Sequence, residues 1–298
     1  MLKSRLCIAF FAFAVGCAPA QKPLTDYVNP MLGTATLWDS VDLGFKPTKR
    51  TWGAEVFPGS ALPNAMVQVS PVTKFHSGAG YQYEDSVIYG FTHTNKGHWN
   101  LCHIPLLPVT GTPTPGDYCS PFSHERESAA PGYYQVFLDR YGVDAQLSST
   151  LRCAFHKYTY PAGAAASLLA DLQRSNEHVR AWDIRKEGDN VFAGWQQTGE
   201  KMYFYAVANR PVTGIEPVVE GDREVRIVRF GEGDGALELR IGFSFVSEKN
   251  ARENLEAEML GKSFAEVRSE ATATWNDLLG RIRVEGGTER EKGLFYSS

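Results

Sequence analysis

His76, His93, His98 and His103, four of the seven histidines in the chain, fall between Trp52 and His103. The same stretch carries Phe57, Phe75, Tyr81, Tyr83, Tyr89, Phe91 and Trp99, and Gly and Pro interrupt it repeatedly. Imidazoles donate and accept hydrogen bonds, aromatic rings offer flat apolar faces, and Gly/Pro punctuation places both on loops. That combination suits a small polar ligand held by stacking and hydrogen bonding. Within Gly97–His98–Trp99, Trp99 could stack on the apolar face of a sugar and His98 could bond a hydroxyl. His93 and Trp52, the latter beside Gly53, are further contact candidates. An aromatic β core with a few surface histidines accounts for most of these residues singly, but less well for the triplet.

Two other chemistries fit poorly. His93, His98, Cys102 and His103 are spaced five, four and one apart, which matches no zinc frame. Glu84 and Asp85 are adjacent, and neighbours on a strand point to opposite faces, so they cannot flank one scissile bond as acid and base.

The surrounding elements must position these loops. Hydrophobic residues make up 43%, charged residues 21% and aromatics 12% of 298 residues, enough apolar mass for a real core. The net charge is −4 with no basic stripe, which argues against a nucleic-acid partner. Asp26–Thr34 reads as a short strand-like run, and residues 36–51 as a long loop. Strands are expected at 65–70, 81–83, 88–93 and 104–110, with Pro105 and Pro108 arguing for an edge or a bulge in the last. A clearer series follows at 133–138, 143–147, 152–160, 167–172, 192–196, 202–209, 224–230 and 237–246. Strands broken by turns every ~8–12 residues indicate a large antiparallel β-sandwich.

The last fifty residues change character. Asn250–Leu260 is helical in composition, and Ser263 with Glu266 forms a capping-box pattern before Phe264, Val267, Ala271, Trp275, Leu278 and Ile282 at helical spacing. Thr288 and Glu291 repeat the box before Leu294, Phe295 and Tyr296. A helix this short cannot bury its apolar face alone, so a helical domain is expected to follow. The expected organisation is a signal at 1–20, a sandwich at 21–247, a helical linker at 248–284 and the truncated start of a helical domain at 285–298.

Lys3 and Arg5 precede an apolar run, Leu6–Val15, too short to span a bilayer. Ala18–Pro19–Ala20 is a cleavage-like site that would release a soluble protein; Ala14–Val15–Gly16–Cys17 instead resembles a lipobox that would tether it to a membrane through lipidated Cys17. Both predict export. Cys102, Cys119 and Cys153 remain, an odd number that allows one disulfide and a free thiol or three buried thiols.

Several motifs, taken in order, carry a resemblance. Asp26–Thr34 (DYVNPMLGT), Phe57–Pro58–Gly59, Met66–Pro71, Gly80–Tyr83, Tyr89–Thr94, Ser120–Glu125, Pro131–Tyr134, Phe155–Pro161 and the closing Glu285–Tyr296 resemble family 92 glycoside hydrolases over nearly all of the mature chain. The resemblance implies a calcium-dependent exo-α-mannosidase acting on mannose-containing glycans by inversion, built as a β-sandwich followed by an α/α toroid. Inversion requires an acid and a base carboxylate about 6.5–9.5 Å apart. In the family these carboxylates and most calcium ligands come from the helical domain, so no catalytic or metal residue transfers to this chain. One departure stands out. Many relatives continue the Phe-x-His motif with a His-Leu-Ser-Gly-Thr-Gly-like turn, whereas Asn95–Asn100 here reads NKGHWN, which implies a linkage preference unlike that of α-1,2 enzymes. The competing expectation is a stand-alone carbohydrate-binding lipoprotein without catalysis, and a third is a structural sandwich whose aromatics are all core.

Overall fold

A computed structural model describes residues 22–36, 56–96, 99–233 and 235–298. Strands β1 (Ser60–Ala61), β2 (Gln68–Val72), β3 (Val87–Ile88), β4 (Gly90–Thr92), β5 (Asn95–Lys96), β6 (Trp99–Asn100), β7 (Leu106–Val109) and β8 (Ser120–Pro121) come first. Next come β9 (Glu127–Ala130), β10 (Tyr133–Leu138), β11 (Val143–Ser149), β12 (Cys153–Thr159) and β13 (Ser167–Ala170). The series closes with β14 (Ala181–Gly188), β15 (Val191–Gln197), β16 (Lys201–Ala208), β17 (Val212–Glu220), β18 (Arg223–Phe230) and β19 (Leu237–Ser244).

Two antiparallel sheets form a sandwich. One runs β1-β2-β4-β7-β13-β18-β17 and the other β14-β15-β16-β19-β12-β11-β10-β9. Alternation along the strands explains the core between them. Phe91, Leu106, Leu168 and Val228 from the first sheet meet Tyr134, Val136, Leu147, Tyr158 and Phe204 from the second, all fully buried. The opposite face of the second sheet is also covered. There Tyr133, Cys153 and Phe155 pack under helices α1 (Glu248–Glu258) and α2 (Phe264–Leu279), against Leu255, Met259, Phe264 and Val267. Gly242 in β19 permits the closest approach, because a Cβ there would lie 2.1 Å from the Ala251 carbonyl oxygen.

Both capping boxes form, Ser263 with Glu266 on α2 and Thr288 with Glu291 on α3 (Glu289–Ser297). The α3 helix packs on the N-terminal segment. The Asn29 N–H donates to Ser297 Oγ (2.8 Å), Tyr27 meets Tyr296 at 5.8 Å between ring centroids, and the Thr25 N–H donates to Asn276 Oδ1 of α2 (3.0 Å). That segment is a 3-10 turn, Leu24–Tyr27, followed by a tight turn, rather than the strand expected at 26–34. Residues 81–83 likewise form no strand. The Pro-containing β7 is not at an edge but between β4 and β13; β4 pairs with it only at Leu106, so Pro108 interrupts no bond on that side.

A buried carboxylate fastens the loop after β2 to the second sheet. Glu127 accepts from Tyr134 Oη (2.5 Å) and Tyr81 Oη (3.0 Å) and lies 2.6 Å from His124 Nδ1, while His124 stacks face to face on Tyr83. The Tyr81 phenol is pushed up, first by burial and then by Glu127. The three cysteines Cys102, Cys119 and Cys153 are free thiols, and burial pushes Cys102 and Cys153 up.

Candidate functional site

Three connections meet at one end of the sandwich: residues 73–80 after β2, 101–105 after β6, and 171–180 between β13 and β14. The first and third border a cavity of about 850 Å³ whose lining includes His76, Arg174, Asn176, Glu177, Trp182 and Arg223, and the second backs it through the Asn176 N–H, which donates to Leu101 O. Planar polar groups beside an indole are suited to a polyhydroxyl ligand.

The walls are fixed from below. Arg174 lies over Phe75 (4.1 Å) and Tyr89 (5.0 Å) and donates to Tyr118 Oη (3.2 Å), whose own hydroxyl donates to buried Asp171 (2.7 Å). Arg223 donates to the same Asp171 oxygen (2.7 Å); burial raises the Asp171 carboxyl, opposed by these donors. Glu177 accepts from Thr198 Oγ1 (2.6 Å). Because Thr198 donates there, it accepts from His103 Nε2 (3.0 Å), and His103 Nδ1 in turn accepts from Thr94 Oγ1 (2.9 Å). Burial lowers the His103 imidazole, opposed by Glu177, in keeping with this neutral, directional arrangement. The result is a carboxylate aimed from a fixed backing at the edge of the cavity.

The residues expected to recognise ligand separate. Trp99 sits on β6, paired with Lys96 of β5, and is 42% exposed, while its neighbour Asn100 is buried and bonded. His98 and Trp52 lie outside the described residues. His93 is corrected: it is fully buried between the sheets, 3.1 Å from His156 by their Nε2 atoms and packed on Phe243, where no ligand reaches it. The His93–Cys102–His103 grouping also disperses. His103 faces Thr94 and Thr198, and Cys102 packs with Val72 and Phe75. Glu84 accepts from the Thr36 N–H and Asp85 from Thr73 Oγ1, so each holds a different loop. Among the described residues no three His, Cys, Asp or Glu side chains converge. The Arg174–Trp182 segment was not singled out from sequence; its signal is the run of hydrogen-bonding side chains Gln173–His178 between two strands.

Comparison with known proteins decides the family. The glycosyl hydrolase family 92 N-terminal domain matches residues 27–254, and the catalytic domain of the same family matches 250–298. The chain belongs to glycosyl hydrolase family 92. Its fold superposes on a family GH92 α-mannosidase from Bacteroides thetaiotaomicron, with a TM-score of 0.80 and 25% identity over 93% of this chain and 40% of that one. A family GH92 inverting mannosidase from Bacteroides thetaiotaomicron VPI-5482 shares the fold, with a TM-score of 0.78 and 24% identity over 93% of this chain and 39% of that one. A protein described as an uncharacterized secreted glycosidase from Arthroderma benhamiae is 24% identical over 88% of this chain and 38% of its own length. This family 92 chain therefore spans about two fifths of the length of these relatives.

Proposed function

We propose that this chain supplies the sugar-recognition loops of an exported, inverting, calcium-dependent α-mannosidase that acts on mannose-containing glycans. The observation that carries the reading is the cavity at the loop end, walled by Arg174, Asn176 and Glu177 with Trp182 beside them. Family membership supports it, as does a solved relative described as an α-mannosidase in complex with mannoimidazole. In this reading Glu177 orients sugar hydroxyls, Trp99 and His98 shape the approach and set linkage preference, and Trp52 is a second platform. The catalytic carboxylates and most of the calcium ligands are assigned to the family's helical domain. Export, supported by the secreted description of the Arthroderma relative, ends in either a soluble protein or one anchored through Cys17.

Calorimetric titration of the 298-residue chain with methyl α-mannoside tests recognition. Binding that weakens about tenfold in Trp99→Ala, with no release of mannose and no change on adding EDTA, is expected. An absence of binding would overturn the recognition role, and hydrolysis by this chain would overturn the placement of the carboxylates.

A further inference from the structure

Asn176 uses every hydrogen-bonding atom of its side chain to join loops remote in sequence. Its Oδ1 accepts from the His76 N–H (2.6 Å), and its Nδ2 donates to Ser77 O (3.1 Å) and to Asn100 O (2.6 Å). Its backbone N–H donates to Leu101 O (3.1 Å), and the preceding Ser175 Oγ donates to the same oxygen (2.7 Å). The two loops it touches are also tied to each other, through the Asn100 N–H and Gly78 O (2.8 Å).

Both loops hold strained backbone. Among the described residues four non-glycine residues have left-handed φ, and three of them lie here: His76 (62°), Cys102 (53°) and Ile104 (54°). Ile104 is β-branched, so the conformation is costly and persists only where neighbours over-determine it. They do: the Cys102 N–H donates to Asn100 Oδ1 (2.7 Å), and the Ile104 N–H donates to Gln196 Oε1 (2.8 Å). Gln196 Nε2 in turn donates to Leu172 O and Arg174 O, so the strained turn is keyed to the segment that carries Asn176.

We propose that Asn176 is the positioning residue of the cavity mouth. It sets the separation between the His76 turn and the Trp99–Asn100 strand, and so determines which mannoside fits; this rests on the recognition reading above. A fixed mouth selects by shape because neither side can retreat without breaking bonds to a shared amide.

The test is loop-resolved hydrogen exchange of the whole chain, with methyl α-mannoside titration of the same samples. In Asn176→Ala, exchange across 76–78 and 99–102 rises about tenfold while β10–β12 is unchanged, and mannoside affinity falls about tenfold. Asn176→Asp keeps the acceptor for the His76 N–H but loses the donors to Ser77 O and Asn100 O, so 99–102 accelerates as in Asn176→Ala while 76–78 accelerates less. Unchanged exchange in both loops, acceleration spread through the sandwich, or wild-type affinity in Asn176→Ala would each overturn the assignment. If the exchange pattern appears but the wild-type chain binds no mannoside, the recognition reading falls while the positioning role of Asn176 stands.

Discussion

His93 and His156 share one hydrogen bond between ring nitrogens deep in the core, so one must donate and the other accept. The Tyr158 hydroxyl lies 2.5 Å from His156 Nδ1. Burial holds His93 down at about 3 and His156 well below its ordinary value, the latter lowered further by the neighbouring His93. In the unfolded chain both would titrate near 6.5. As pH falls below that value the unfolded state takes up protons that the folded state refuses, so stability is full above about 6.5 and drains as pH drops towards about 3. Each such histidine contributes a slope of about 1.4 kcal/mol per pH unit within the window. Urea melts between neutrality and pH 4 should show His93→Gln with a slope shallower by about that amount; an identical slope would refute the account. Glu127 makes a second residue-scale prediction. Glu127→Ala leaves the Tyr81 and Tyr134 hydroxyls and His124 around an empty site, and should cost about 3–5 kcal/mol, more than Glu127→Gln.

Helix α1 reaches the second sheet only because β19 offers a bare backbone at Gly242. The neighbour that a new methyl would meet is the Ala251 carbonyl oxygen, which cannot rotate away. Gly242→Ala should therefore lower stability by about 1–3 kcal/mol in a denaturant melt, and trimming a nearby side chain should not restore it. Retained stability would mean that the helix can lift. Elements of this kind were legible where packing imposes a rhythm: the strands from Tyr133 onward and both capping boxes were read with ends within a few residues. Strands β14 and β17 were not, because they sit at sheet edges and most of their residues stay at least partly exposed, so no apolar alternation marks them. Pro108 misled for a related reason, since the cost of a missing N–H depends on whether a neighbour is there to lose it.

At the scale of the molecule the candidate site is shared by three stretches of chain separated by strands of both sheets. Sequence pointed to the first two through their aromatics, histidines and glycines, and the third stayed hidden because Arg174, Asn176 and Glu177 gain meaning only from what they touch. Replacing Cys17 by Ser tests export at this scale. If the protein is anchored there, the variant moves from the membrane fraction to the soluble one; an unchanged distribution would favour cleavage near Ala20.

The clasp between the N-terminal turn and the last helices bears on the order of folding. Asn29 finds Ser297 across 268 residues and Thr25 finds Asn276 across 251. Closing loops of that span is slow and is rewarded only at the end. The sheets can zip from hairpins as they emerge from the ribosome, but the turn at 24–27 must wait unsatisfied until α2 and α3 exist. The first described segment of this protein is thus among the last to become native. A chaperone that holds it would act on a folding intermediate already mostly sandwich.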